Sequence, residues 1–196
     1  MILVIDNYDS FTQNLARYLR LAGTSTRIVR NDTHVFDAAL ADDVDALVIS
    51  PGPGRPATAG GCLNLLHRLQ QTTKPVPVLG VCLGHQCLVE SVGGQTIRSK
   101  QPLHGEATAI IHDGTGLFAG LESPTSAGRY HSLVSVLPDT PTGFTSTATC
   151  DQGELMAIQH DEWPWYGVQF HPESLLTDDG NVMVENFLKA VADYHA

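Results

Sequence analysis

A cysteine set between glycines is the first feature of this chain that could carry chemistry. Gly80-Val81-Cys82-Leu83-Gly84 follows an apolar run and opens a helix-like segment. This is the G-x-nucleophile-x-G elbow, with sulfur in place of the serine oxygen. The glycines are needed because the turn holds its nucleophile in a strained backbone, against which bulkier neighbours would clash. Cys82 would then lie at the carboxyl edge of an open α/β sheet, where ligands bind. The partial positive charge of a helix N-terminus there favours thiolate. A free thiol with a pKa of about 8.5 is only a few per cent ionised at neutral pH, a deficit of about 2 kcal/mol. A neighbouring imidazolium and a helix terminus can remove most of it. An isolated cysteine is more often an inert core residue, and it is the glycines at a strand end that favour the chemical reading.

A cysteine nucleophile needs a base, and Phe170-His171-Pro172-Glu173 supplies one after the apolar run Tyr166–Phe170. Pro172 disfavours the helical region at His171. An extended backbone there would put His171 and Glu173 on one face. The carboxylate could then fix the imidazole tautomer and stabilise the imidazolium. A lone H-x-E is commonly a solvated turn; beside the elbow it becomes the favoured base and orienter. His85, three residues past Cys82, ranks second, because at a helix start it would point along the helix.

Ser50-Pro51-Gly52-Pro53-Gly54 is the third element. Without G-K-[ST] or G-x-G-x-x-G it is not a phosphate loop. Two glycines between prolines make a rigid loop with exposed N–H groups, a donor source for an oxyanion; an ordinary strand-ending turn is the competing reading. One such donor is commonly worth about 3–4 kcal/mol, and the N–H of Leu83 is the natural partner donor.

These residues require a scaffold. Ile2–Ile5, Thr26–Arg30, Ala46–Ile49 and Val76–Val81 read as strands. Phe11, Leu15, Tyr18, Leu19 and Ala22 mark one helix face, stopped at Gly23; Cys62, Leu65, Leu66 and Leu69 mark another. Apolar strands alternating with helices predict a parallel sheet covered on both faces. Shorter strand-like segments follow near 107–112, 133–137, 143–149, 154–160 and 166–170. A last helix carries Val184, Phe187, Leu188 and Val191. The expectation is α/β: one domain over residues 1–196, with an open mixed, mainly parallel sheet flanked by helices on both faces and antiparallel additions in its second half.

The 196 residues suffice to bury roughly 70% of the surface of the unfolded chain. Apolar residues make up 42% and charged residues 16%, a folded composition. Eleven basic against twenty-one acidic residues give a net charge of −10, which disfavours nucleic acid. No run approaches the ~18 apolar residues of a membrane span, and a cytoplasmic protein is expected. Cys62, Cys82, Cys87 and Cys150 show no C-x-x-C, and the nine histidines form no H-E-x-x-H; a structural metal is not expected.

Taken in order, these stretches resemble the class I (triad) glutamine amidotransferases from end to end. Within that group the chain is similar to the glutaminase subunits of anthranilate synthase and of p-aminobenzoate synthase. The matching stretches are Asp6–Thr12, Ser50–Gly54, Gly80–Gln86, His104-Gly105, Arg129–Leu133 and Gly167–Ser174. The resemblance implies Cys82 as nucleophile, His171 as acid/base and Glu173 as orienter. It implies backbone groups of Gly54 and Leu83 as the oxyanion hole. Gly52, Pro53, Gly54, Gln86, Ser132 and Leu133 would hold L-glutamine. Three departures lie outside the triad: Glu106 where the family usually has Lys, Gln13 for a common aromatic and Cys87 for Ala or Ser. Cys62, Cys87 and Cys150 are expected as core residues.

Free ammonia would be protonated in water, so an acceptor site must lie close. Nothing here resembles a magnesium carboxylate cluster with the Arg and Lys groups that dianionic chorismate would want. No cofactor is expected in this chain; magnesium belongs to a larger chorismate-binding synthase subunit. The regions His104, Glu106 and Arg129–His131 are candidates for docking it. The expected acceptor reaction is anthranilate formation, in tryptophan biosynthesis. The p-aminobenzoate reaction of folate biosynthesis, or one subunit serving both, is the alternative. A stand-alone cysteine hydrolase and a catalytically silent regulatory module of the same fold remain as other classes.

Overall fold

The computed structural model describes residues 1–32, 34–73, 75–140 and 142–196. Its strands follow the apolar runs. β1 (Ile2–Asp6), β3 (Ala46–Ile49) and β4 (Val78–Val81) are buried at every position, as parallel strands covered on both faces must be. β2 (Thr26–Arg30) is half-buried and forms the edge. Among the described residues five α-helices accompany them: α1 (Thr12–Leu21), α2 (Val35–Ala39), α3 (Cys62–Leu69), α4 (Leu83–Ser91) and α5 (Gly180–His195).

The second half adds β5 (Gln95–Arg98), β6 (Glu106–His112), β7 (Thr125–Arg129), β8 (Leu133–Val136), β9 (Phe144–Cys150), β10 (Leu155–His160) and β11 (Trp165–Val168). Among the described residues nine strands form one sheet in the order β2-β1-β3-β4-β11-β10-β9-β6-β7. The first five run parallel. β10, β9, β6 and β7 follow as antiparallel neighbours. β5 and β8 make a separate antiparallel ribbon. Leu15, Leu19, Met183 and Phe187 of α1 and α5 pack on one face of the sheet. Val35, Leu65, Leu66 and Leu88 of α2, α3 and α4 cover the other. The open mixed sheet with helices on both faces is therefore the architecture, as expected.

Several boundaries differ from the sequence reading. β11 belongs to the second half by position but joins the parallel set: Val168 pairs with Val81 and Gly167 with Gly80. It ends at Val168, two residues short of Phe170. α2, β5 and β7 were not expected, because five residues are too short to show a helical period and neither Gln-Thr-Ile-Arg nor Thr-Ser-Ala-Gly-Arg has an apolar run. All four cysteines are buried and unpaired as disulfides. Among the described residues no helix is long and apolar enough to cross a membrane.

Candidate active site

The elbow forms where the sheet and α4 meet. Cys82 is the residue before α4, at φ 52° and ψ −100°, a region that costs a non-glycine residue energy. Its N–H donates to the carbonyl of Val168 at 2.8 Å, so the turn is held against β11. The glycine requirement is steric. A Cβ on Gly84 would lie 2.2 Å from the carbonyl oxygen of Ile49, and one on Gly80 would lie 2.5 Å from that of Gly84. Leu83 is the first residue of α4, where an N–H has no acceptor within the helix.

The parallel pairing of β11 with β4 delivers the base. Chain leaving Val168 reaches His171, whose N–H donates to Gly128 of β7 at 3.0 Å. The segment 171–174 is not extended: the N–H of Ser174 donates to the carbonyl of His171 at 3.1 Å, closing a turn. Pro172 takes the second position of that turn, where a fixed φ near about −65° fits. The turn, rather than strand alternation, brings the two side chains together. His171 Nδ1 and Glu173 Oε1 lie 2.7 Å apart, both residues buried. Nε2, which has no hydrogen bond of regular geometry, is left for the Cys82 thiol. Burial alone would lower the His171 pKa. Hydrogen bonding to Cys82, then hydrogen bonding to and the charge of Glu173, outweigh it and raise the value to about 10. The ring is thus held as an imidazolium at neutral pH. Phe11 and Tyr130 pack edge-on against it, each with centroids at 5.0 Å.

Beside the sulfur is a cavity of about 200 Å³, lined by Gly52, Pro53, Gly54, Cys82 and Gln86. Tyr130, His131, Ser132 and Leu133 complete its lining. All the residues expected to hold substrate therefore surround one space, except Leu83, which packs behind Gly52. The Gly52–Gly54 loop is braced from β1. Asn7 N–H donates to Ser50 Oγ at 2.9 Å and Asn7 Nδ2 to the Ser50 carbonyl at 2.8 Å. Asn31 and Cys62 in turn donate to Asn7 Oδ1.

Two histidines fall out of the chemistry. His85 is wholly buried beneath β11. Desolvation first, then the nearby His131, lowers its pKa to about 3. It is a neutral core group, and the second-ranked base is thereby removed. His131 accepts from Arg129 Nε at its Nε2 (3.0 Å), so Nδ1 carries the proton donated to the Leu133 carbonyl at 2.9 Å. Burial and the Arg129 charge lower its pKa to about 4. Arg129 pairs in turn with Glu154 at 3.1 Å, both side chains buried. Arg129 and His131 are therefore interior residues, which corrects the expectation that they face a partner; the exposed His104 and Glu106 remain at the surface.

Sequence reasoning missed Tyr130 and His131 as cavity walls and Gln169 as a neighbour of the sulfur. The first two lie inside the Arg129–Leu133 stretch, which was the available signal. Gln169 likewise lies inside the Gly167–Ser174 stretch, beside the His171 and Glu173 that drew the attention.

The chain is similar to known proteins along nearly its whole length. The family described as Glutamine amidotransferase class-I matches residues 3–191. The aminodeoxychorismate/anthranilate synthase component 2 of Bacillus subtilis is 45% identical over 190 residues, 96% of each chain. The aminodeoxychorismate synthase component 2 of Escherichia coli is 44% identical over 194 residues, 96% of this chain and 99% of that one. A crystal structure from Thermoplasma acidophilum, described as that of a candidate GMP synthase component, superposes with a TM-score of 0.87 at 28% identity. It covers 99% of this chain and 94% of its own.

Proposed function

The chain belongs to the class I glutamine amidotransferase family, and on that premise we propose that Cys82, His171 and Glu173 hydrolyse the side-chain amide of L-glutamine. The observation that carries this reading is the meeting of the strained Cys82 turn with the His171–Glu173 pair, at 2.7 Å within the pair, beside the cavity.

Cys82 thiolate adds to the amide carbon, and the carbonyl π electrons move to oxygen. Backbone N–H groups of Leu83 and Gly54 receive that oxyanion, and Gly52, Pro53, Gln86, Ser132 and Leu133 hold the rest of the glutamine. The imidazolium of His171 gives its proton to the departing nitrogen. Ammonia leaves and a glutamyl thioester remains on sulfur. His171, now neutral, takes a proton from water as the water oxygen attacks the thioester; glutamate departs and the thiolate is restored. Glu173 keeps the ring oriented and offsets its charge throughout.

Ammonia is useful only if it reaches an acceptor before protonation. The chain would therefore serve a larger synthase subunit that aminates chorismate, holds the magnesium and docks near the cavity mouth. Anthranilate formation is the first assignment. The aminodeoxychorismate reaction is the second, favoured by the Escherichia coli relative, and the double name of the Bacillus subtilis relative supports one subunit serving both.

Cys82→Ser tests the core of this. Glutamine-dependent product formation should vanish while ammonia-dependent synthesis by the complex persists; loss of both refutes the assignment. Pairing the chain with each larger synthase partner, then identifying the aromatic product, distinguishes the two acceptor reactions.

A further inference from the structure

Gln169 is fully buried, one residue beyond β11, and its main-chain N–H continues the pairing by donating to Met156 at 2.8 Å. Its side chain is not packed against apolar neighbours alone. Gln169 Nε2 donates to Cys82 Sγ at 3.6 Å, and Gln169 Oε1 accepts from Gln86 Nε2 at 3.1 Å. Gln86 Nε2 also reaches the Leu133 carbonyl at 3.4 Å.

The polarity of this chain is fixed from its far end. A main-chain carbonyl only accepts, so the Leu133 oxygen sets the NH2 group of Gln86 toward it. That NH2 group then faces Gln169 as a donor, and Gln169 must present its oxygen there. The only orientation left turns the NH2 group of Gln169 onto the sulfur. An N–H donor aimed at sulfur stabilises thiolate over thiol, because the bond strengthens with charge on the acceptor. It also restrains where the sulfur sits. Gln86 lies one helical turn past Cys82, its N–H donating to the Cys82 carbonyl at 3.0 Å, so the relay is anchored in the helix that carries the nucleophile.

We propose that Gln169 is a thiolate-holding group: its side-chain amide, oriented by Gln86 and the Leu133 carbonyl, donates to the Cys82 sulfur and keeps it charged and aimed at the cavity. This rests on Cys82 being the nucleophile. His171 attracts negative charge to the sulfur from one side; Gln169 does so from another without exchanging a proton. The other titratable groups around the sulfur are Glu173 behind His171, His131 in the cavity lining and His85 within α4; none is changed in the variants below.

The test is the rate of Cys82 alkylation by iodoacetamide in the full chain, read by mass spectrometry at about pH 7 and about pH 9.5. In Gln169→Met, which keeps the length and removes the donor, the rate at neutral pH should fall roughly five- to tenfold. At the higher pH, where thiolate forms without help, it should return to within about twofold of the parent. Glutamine hydrolysis should lose a similar factor in kcat with KM nearly unchanged. If Gln169→Met does not fold, Gln86→Met gives the same alkylation readout, since it frees the Gln169 amide to turn away. A smaller fall at neutral pH is expected, and only alkylation is read in this variant because Gln86 also lines the glutamine cavity. Alkylation rates equal to the parent at both pH values overturn the proposal, as does a loss of equal size at both, which would mean altered access. Cys82→Ala separates this from the broader reading. If that variant still hydrolyses glutamine, the nucleophile assignment itself fails; if it is inactive while Gln169→Met alkylates like the parent, only the role of Gln169 is lost.

Discussion

The side-chain amide of Asn14 donates to the main-chain carbonyl of Glu173 at 2.8 Å, joining α1 to the His171–Glu173 turn across 159 positions of sequence. Gly128 accepts from the His171 N–H on the other side of that turn, and Thr177 Oγ1 closes it by donating to the His171 carbonyl at 2.6 Å. The acid/base pair is thus clamped from α1, from β7 and from its own downstream chain.

Asn14→Leu should loosen this clamp without touching the cavity. One lost hydrogen bond costs about 1 kcal/mol, and somewhat more if the carbonyl is left dry. Glutamine hydrolysis should drop several-fold in kcat with KM little changed, and the urea midpoint should fall. An unchanged kcat would mean that the turn holds itself.

The His171–Glu173 pair makes stability depend on pH in a defined direction. The folded-state pKa of His171 is raised to about 10 from 6.5. A raised value means the protonated ring favours the folded chain. That contribution is complete below about pH 6.5 and is lost as pH rises through about 10. Urea unfolding of the parent and of His171→Asn across this window should show a stability difference that shrinks as pH rises; a constant difference contradicts it. Glu173→Gln removes one support of the imidazolium, so the ring should titrate at lower pH by NMR. Its kcat should fall by about 10²–10⁴-fold.

Beneath the cavity wall, Arg129 and Glu154 form a buried ion pair at 3.1 Å. Ser99 Oγ and the Lys100 N–H also donate to Glu154, and Arg129 orients His131. Removing one partner strands the other charge. Glu154→Gln should cost about 3–5 kcal/mol, whereas Arg129→Met combined with Glu154→Met should recover much of it. Glutamine KM should rise in the single variant, because His131, Ser132 and Leu133 line the cavity. Denaturant midpoints decide; a double variant no better than the single would show that the charges are not the issue.

Gly84→Ala tests the elbow directly. Its Cβ would fall 2.2 Å from the Ile49 carbonyl, and main chain in a central strand cannot yield cheaply. A loss above about 3 kcal/mol, or no soluble protein, is expected. Gly93→Ala is the comparison: at φ 86° with nothing within 4 Å of the added carbon, it carries only the conformational cost, about 1 kcal/mol.

Much of this was legible along the chain. β1, β3 and β4 are strands because four or five consecutive apolar residues can be buried only between two helical layers, and the glycines at 80 and 84 announce a tight turn. β7 carried no such mark: Thr125-Ser126-Ala127-Gly128-Arg129 becomes a strand because β6 offers it a pairing edge. His171 and Glu173 were placed together for a partly wrong reason, since a turn around Pro172 rather than an extended backbone joins them. Arg129 and His131 look like surface residues until Glu154, just before β10, neutralises the guanidinium.

Sequence alone determined which groups can react and what local backbone each needs, because both follow from a residue and its nearest neighbours. It could not determine which distant groups share a space. Tertiary structure decided that β11 lies between β4 and β10, with Val168 against Val81. From that register follow His171 beside Cys82, Gln169 on the sulfur and His85 sealed beneath the sheet. The reason is physical. Strand pairing across long separations is chosen by how the whole set of apolar faces can be buried at once, and no short stretch contains that information.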